Sequence, residues 1–156
     1  FDWTLSSGSG TISAITLNVY HNSGTAGTIG HGVRELTNPL GFTEAQVTWN
    51  VTSTGSNWTT AGGDYGATVV QSISLAGDEA SAYKTWNIGP GATNPIAGLT
   101  WGTNFDIIII ADNEGGTASY AGWAMKETVG TSQDPYIEIT YAVVVATIIA
   151  PMIIEF

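Results

Sequence analysis

The chain has no cysteine. That excludes a disulfide framework, a thiolate metal site and a cysteine nucleophile. It is also poor in cations. Arg34, Lys84 and Lys126 stand against thirteen acidic residues, for a formal charge of −10. Nucleic acid and anionic membranes both recruit proteins through a cationic footprint, so neither is an expected partner. No apolar run reaches the roughly 20 residues of a membrane-spanning helix. No stretch reads as a signal peptide, and a chain opening abruptly at Phe1 is expected to be a processed or truncated product. Leucine is scarce and no amphipathic helical pattern is present, which argues against a helical bundle.

What is abundant points to β structure. Val, Ile, Thr and Trp fill the apolar positions, and 20 glycines punctuate them. Residues 11–20 alternate, with Ile15, Leu17 and Val19 on one face and Thr16, Asn18 and Tyr20 on the other. Further strands are expected at 1–5, 28–36, 44–51 (around Val47 and Trp49), 67–75, 82–88, 120–127 and 136–142. Residues 105–111 carry four consecutive isoleucines and read as a central strand buried on both faces. Residues 52–66 read as a long loop, 96–101 as a single helical turn, and 112–116 as a turn. Many short strands with Gly, Pro and Asn turns predict an all-β, antiparallel sandwich of jelly-roll type.

The last stretch, residues 142–156, has a different texture. Its even positions, Ala142, Val144, Ala146, Ile148, Ala150, Met152, Ile154 and Phe156, are all apolar, and Glu155 is its one charge. A strand buried on both faces has this pattern. The expected division is a sandwich domain over 1–141 and a C-terminal apolar strand over 142–156.

Several segments resemble the DNRLRE family of secreted β-sandwich domains. They are Phe1-Asp2 followed by Ser6-Ser7, Glu44 before Thr48-Trp49-Asn50, and Trp58 with Gly62-Gly63-Asp64-Tyr65. The closing segments at 123–127 and 135–141 are similar to that family as well. The resemblance covers most of 1–141 and is poor at 89–104. It implies a sandwich, and relatives that include carbohydrate-binding modules. It also implies about two strands before the Phe-Asp pair, which this chain lacks, and an end near Tyr141, which it overruns.

A body short of strand material and a tail with strand to spare suggest donor-strand complementation between subunits. The expected product is an extracellular, cell-surface homopolymer, a filament or pilus. Its subunit interface would involve Val143, Val144, Val145, Ile148, Ile149, Met152, Ile153, Ile154 and Phe156. The tail completing its own sheet, or surviving as a cleaved anchor remnant, are the competing readings.

Catalysis has little support. His21 and His31 lie in Gly-rich sequence outside any nucleophile-elbow context and read as surface residues. The Asp78-Glu79 pair makes a poor acid/base couple. No cofactor is implied except calcium. Asp112, Asn113 and Glu114 offer it hard oxygens, as do Asp64 and the Asp78-Glu79 turn, without EF-hand spacing; solvated turn acids are the plainer reading. Trp58 and Tyr65, on the long loop, are the candidate sugar contacts for a polysaccharide partner, whereas Trp49 and Trp123 are expected in the core. Asn50 and Asn57 open glycosylation sequons.

Overall fold

The structure is a computed structural model that describes residues 2–25, 27–37, 46–76, 78–112, 121–124 and 132–143. Ten strands follow one another: β1 (Asp2–Thr4), β2 (Thr11–Gly24), β3 (Thr28–Glu35), β4 (Val51–Ser53), β5 (Ser56–Asn57), β6 (Gln71–Ala76), β7 (Ala82–Asn87), β8 (Asn104–Ala111), β9 (Ala121–Trp123) and β10 (Tyr136–Ala142). The fold is all-β and antiparallel, with no helix among the described residues.

One sheet has the order β1-β8-β3-β6. A second has the order β10-β2-β7, with β9 also paired to β2. A small hairpin, β4-β5, lies in the segment expected to be loop. The two larger sheets turn their apolar faces into one core. Ile15, Leu17, Val19 and Trp86 come from the second sheet, and Val33, Phe105 and Ile107 from the first. The alternation seen in residues 11–20 is the reason β2 forms. Its odd positions from Ile15 to Val19 are fully buried, each gaining about 1.5–3 kcal/mol from the loss of water contact. Trp86 crosses between the sheets, and its indole N–H donates to the His31 carbonyl at 2.9 Å.

The outer face of the second sheet is also partly closed. Asn18, on the face opposite Ile15, Leu17 and Val19, is buried there between Thr85 of β7 and Tyr136 of β10. Its side chain accepts from the Thr85 hydroxyl at 2.7 Å and donates to the Thr16 hydroxyl at 3.2 Å. Tyr20, Tyr83 and Tyr136 meet edge to face around it, with centroids 5.2 and 5.1 Å apart.

Several boundaries differ from the sequence pattern. Residues 46–50 are turn and bend, and the strand begins at Val51. Trp49 therefore has no sheet to pack under and is 59 % exposed. The strand expected from residue 67 begins at Gln71. Residues 96–101 form turns rather than a helical turn. The Thr103 hydroxyl holds that segment, accepting the Thr100 N–H at 3.1 Å and donating to the Gly98 carbonyl at 3.4 Å. No described helix is long and apolar enough to cross a membrane.

Candidate functional site

Two features stand out, a strand edge without a partner among the described residues and an aromatic loop. The edge belongs to β8. On one side β8 pairs with β3 over Ile107 to Ala111, in unbroken register. The Leu36 N–H donates to the Asp106 carbonyl at 3.0 Å, and the Asp112 N–H to the Gly30 carbonyl at 2.8 Å. These bonds fix the parity of the ladder. Even-numbered Ile108 and Ile110 turn their peptide groups toward β3, while odd-numbered Ile109 and Ala111 turn theirs the other way. On that other side the described residues of β1 pair with Asn104 to Asp106. Among the described residues, no strand pairs with Ile109 and Ala111 there.

On one side of the molecule β6 and β7 adjoin, and the Gln71 side chain accepts the Asn87 N–H. On the other side the bordering strands are β8 with β1 in the first sheet, and in the second β10 and, beside residues 21–24 of β2, β9, whose Trp123 packs against His31. The inward-facing Ile109, Ile137 and Ile139 pack against the core there but stay partly exposed. A ladder edge without a partner among the described residues, beside half-covered isoleucines, is what a further strand would complete.

Of the expected interface residues, Val143 is described. It follows β10 directly and is 56 % exposed. Val144, Val145, Ile148, Ile149, Met152, Ile153, Ile154 and Phe156 lie outside the described residues. Gly10 shapes the exit of the tail. Its φ of +105° is a glycine conformation, and a Cβ there would strike the Ala142 carbonyl and come within 3.3 Å of the Val143 Cα.

The aromatic loop runs from Gln46 to Gly66 and is held by Asp64. The two Asp64 carboxylate oxygens accept the Thr59 N–H at 2.9 Å and the Thr60 N–H at 2.8 Å. The Asp64 carbonyl accepts the Thr37 N–H at 2.8 Å, and Tyr65 bridges to Leu36, which docks the loop on the end of β3. Gly62 and Gly63 have φ of +92° and +117°, and the Trp49 ring lies on Gly62 where any Cβ would clash. Trp58 is half-buried and donates its indole N–H to the Thr48 carbonyl at 3.0 Å. Tyr65 is 38 % exposed and borders an open cavity of about 400 Å³ with Thr37, Thr59, Thr60 and Asp64. Arg34 lies 5.5 Å from the Tyr65 ring centroid, while its guanidinium donates to the Gly66 and Ala67 carbonyls. Of the sequence-expected sugar contacts, Tyr65 is therefore presented to solvent, and Trp58 is turned partly into the loop. Trp49, expected in the core, is instead exposed on this loop with its ring over Gly62.

Comparison with protein-family models, curated proteins and solved structures finds no match to this chain.

The histidines are not surface residues. His21 and His31 are both buried, and both pack edge-on against Trp123, at 5.5 and 5.3 Å. Both ring nitrogens of His21 lack a hydrogen-bond partner among the described residues. Burial pushes His31 below its ordinary range, against the raising effects of a 3.2 Å contact with the Ile29 carbonyl and of Asp112 nearby. Trp123, expected in the core, lies beside Trp86 at 5.6 Å and is partly buried.

Of the candidate calcium residues, Asp64, Glu79 and Asp112 have carboxylate oxygens engaged in other bonds. Asp112 accepts the Ser72 hydroxyl at 2.7 Å, and Asn113 and Glu114 lie outside the described residues. Glu79 accepts the Ala76 N–H at 3.0 Å and forms an ion pair with Lys84, which lowers its carboxyl from the ordinary value. Asp78 is exposed. No group of three metal-ligating side chains occurs among the described residues. Asn50 and Asn57 are both exposed, Asn57 on the outer strand of the small hairpin.

Proposed function

We propose that this protein is a non-catalytic, structural subunit of an extracellular filament, a β-sandwich of jelly-roll type completed by the C-terminal strand of another copy. The observation that carries this reading is the outward-facing edge at Ile109 and Ala111, beside half-covered Ile109, Ile137 and Ile139. The chain itself supplies a matching strand, because every even position from Val144 to Phe156 is apolar. A contact of this kind between identical subunits is head-to-tail and need not close, so it propagates. The histidines are buried in the core, and the Asp64 and Glu79 carboxylates accept backbone N–H groups, which fits a structural role for these residues. The resemblance to DNRLRE domains agrees with a secreted sandwich. Electron microscopy of the purified chain, with and without residues 143–156, tests the reading. Filaments from the full chain and none from the shortened one are expected; filaments from both would refute it.

A second reading, a carbohydrate-binding module of a secreted or cell-surface protein, is favoured by one observation. Trp49 and Tyr65 are both exposed on one loop pinned by Gly62, Gly63 and Asp64, with an open cavity beside Tyr65. Exposed aromatic rings on a fixed loop are a means of stacking on sugar rings. It predicts polysaccharide binding that Tyr65→Ala and Trp49→Ala abolish and that Trp58→Ala weakens. A glycan panel without any retained ligand would exclude it.

A further inference from the structure

We infer that the acceptor for the donated tail is the β8 edge of a second copy, entered in line with β1 and antiparallel to β8. This rests on the filament reading and adds the place and the direction of the contact. The argument is one of strand direction. β1 ends at Thr4 opposite Asn104, and β10 ends at Ala142 opposite Thr11. Trp101, in the turn before β8, ties these ends together. Its indole N–H donates to the Gly10 carbonyl at 3.0 Å, and its ring meets Tyr141 edge-on at 5.0 Å. β1 and β10 therefore run toward the same end of the molecule, and the tail leaves from that end. Ile109 and Ala111 lie at the other end, because β8 runs away from Asn104.

A tail that simply continues β10 travels in the direction of β1. If the next copy is stacked beyond the exit, the tail reaches it at the end where β8 is uncovered. It arrives antiparallel to β8, as β1 does, and needs no turn. The tail of the same copy would have to reverse, pass β1 and arrive parallel to β8. Reach is sufficient, since residues 144–156 extended at about 3.3 Å each span roughly 43 Å. The apolar even face of the tail then covers Ile109, Ile137 and Ile139, and its odd face looks outward.

The absence of cysteine makes the contact mappable. Ile110 stands on the outward face of β8, opposite Gly32, and its peptide groups are taken by β3. In an antiparallel pair such a position faces its neighbour at about 4.5 Å between Cα atoms, within disulfide reach. Ile110→Cys is combined in one chain with Thr147→Cys, Ile149→Cys or Ile153→Cys, and filaments are oxidised. A ladder of disulfide-linked chains from one of these pairs is expected. Filaments whose ladder appears with Glu138→Cys on β10 in place of Ile110→Cys would overturn the acceptor and leave the filament reading standing. Disulfides confined within single chains, or no filaments from the unsubstituted protein, would sink both. Hydrogen exchange needs no substitution and decides the case if the variants fail to fold. The Ile109 and Ala111 amides are expected to be protected at least tenfold more in wild-type filaments than in the chain lacking 144–156. Equal exchange would overturn the acceptor.

Discussion

Trp86 donates its indole N–H to the His31 carbonyl across the core, at 2.9 Å, and both residues are buried. The bond joins β7 of one sheet to β3 of the other, so it reports whether the two sheets are correctly opposed. Replacing Trp86 by Phe keeps much of the apolar volume and removes the indole donor, leaving the His31 carbonyl to the β3–β6 ladder alone. A loss of about 0.5–1.5 kcal/mol is expected. Trp86→Ala adds a cavity and is expected to cost about 3–5 kcal/mol. Urea midpoints of the two variants against wild type measure both; a Phe variant as stable as wild type would show that the bond contributes nothing net.

His31 gives the fold a pH dependence of known sign. Burial lowers its folded-state pKa, so the unfolded chain takes up the proton first as pH falls. The stabilisation is complete above the ordinary histidine value of about 6.5 and is lost as pH falls through the lowered folded-state value. Melting temperatures taken from pH 8 to pH 5 are expected to fall below pH 6.5, with a shallower fall in His31→Gln. An equally steep fall in that variant would assign the effect to another group.

Asp64 holds two backbone N–H groups with one carboxylate. Asp64→Ala leaves the Thr59 and Thr60 amides to water and is expected to cost about 1–3 kcal/mol. Amide exchange is the direct measurement, with Thr59 and Thr60 losing protection while Val19 and Trp86 keep theirs. Unchanged protection at the two threonines would contradict the assignment.

Gly10→Ala tests the exit of the tail. The substitution forces a side chain into a φ of +105° and against the Ala142 carbonyl. A destabilisation above about 1 kcal/mol is expected, with slower filament growth because β10 no longer delivers the tail along its own axis. Filament growth at the wild-type rate would mean that the exit geometry is immaterial to assembly.

The strands most legible in the sequence are those whose alternation coincides with burial. β2 is the clearest, since Ile15, Leu17 and Val19 are its fully buried residues. The four isoleucines of β8 announced a strand, but not which of its peptide groups would lack a partner. That depends on the parity set by Leu36 and Gly30, residues distant in sequence. Trp49 was expected inside because it sits in an expected strand, yet the backbone turns at 46–50 and leaves the ring outside. The histidines were misplaced for the converse reason. Gly30 and Gly32 loosen the look of β3, while in space they make room on its outer face for Asp112 and Val69. His31, between them, turns inward to Trp123. Of the candidate site, Tyr65 was named by type and position, and it is exposed on the loop. Asp64 was named for its oxygens, and its role as the clasp of the loop was visible only in three dimensions.

β1 has a mechanical meaning in the proposed polymer. Its three residues occupy the same edge of β8 that the incoming tail would use. A strand sliding down that edge meets β1 and can go no further. Such an end-stop sets one insertion depth for every joint, so the axial rise per subunit is a fixed length written into Asp2–Thr4 rather than an average over slipped registers.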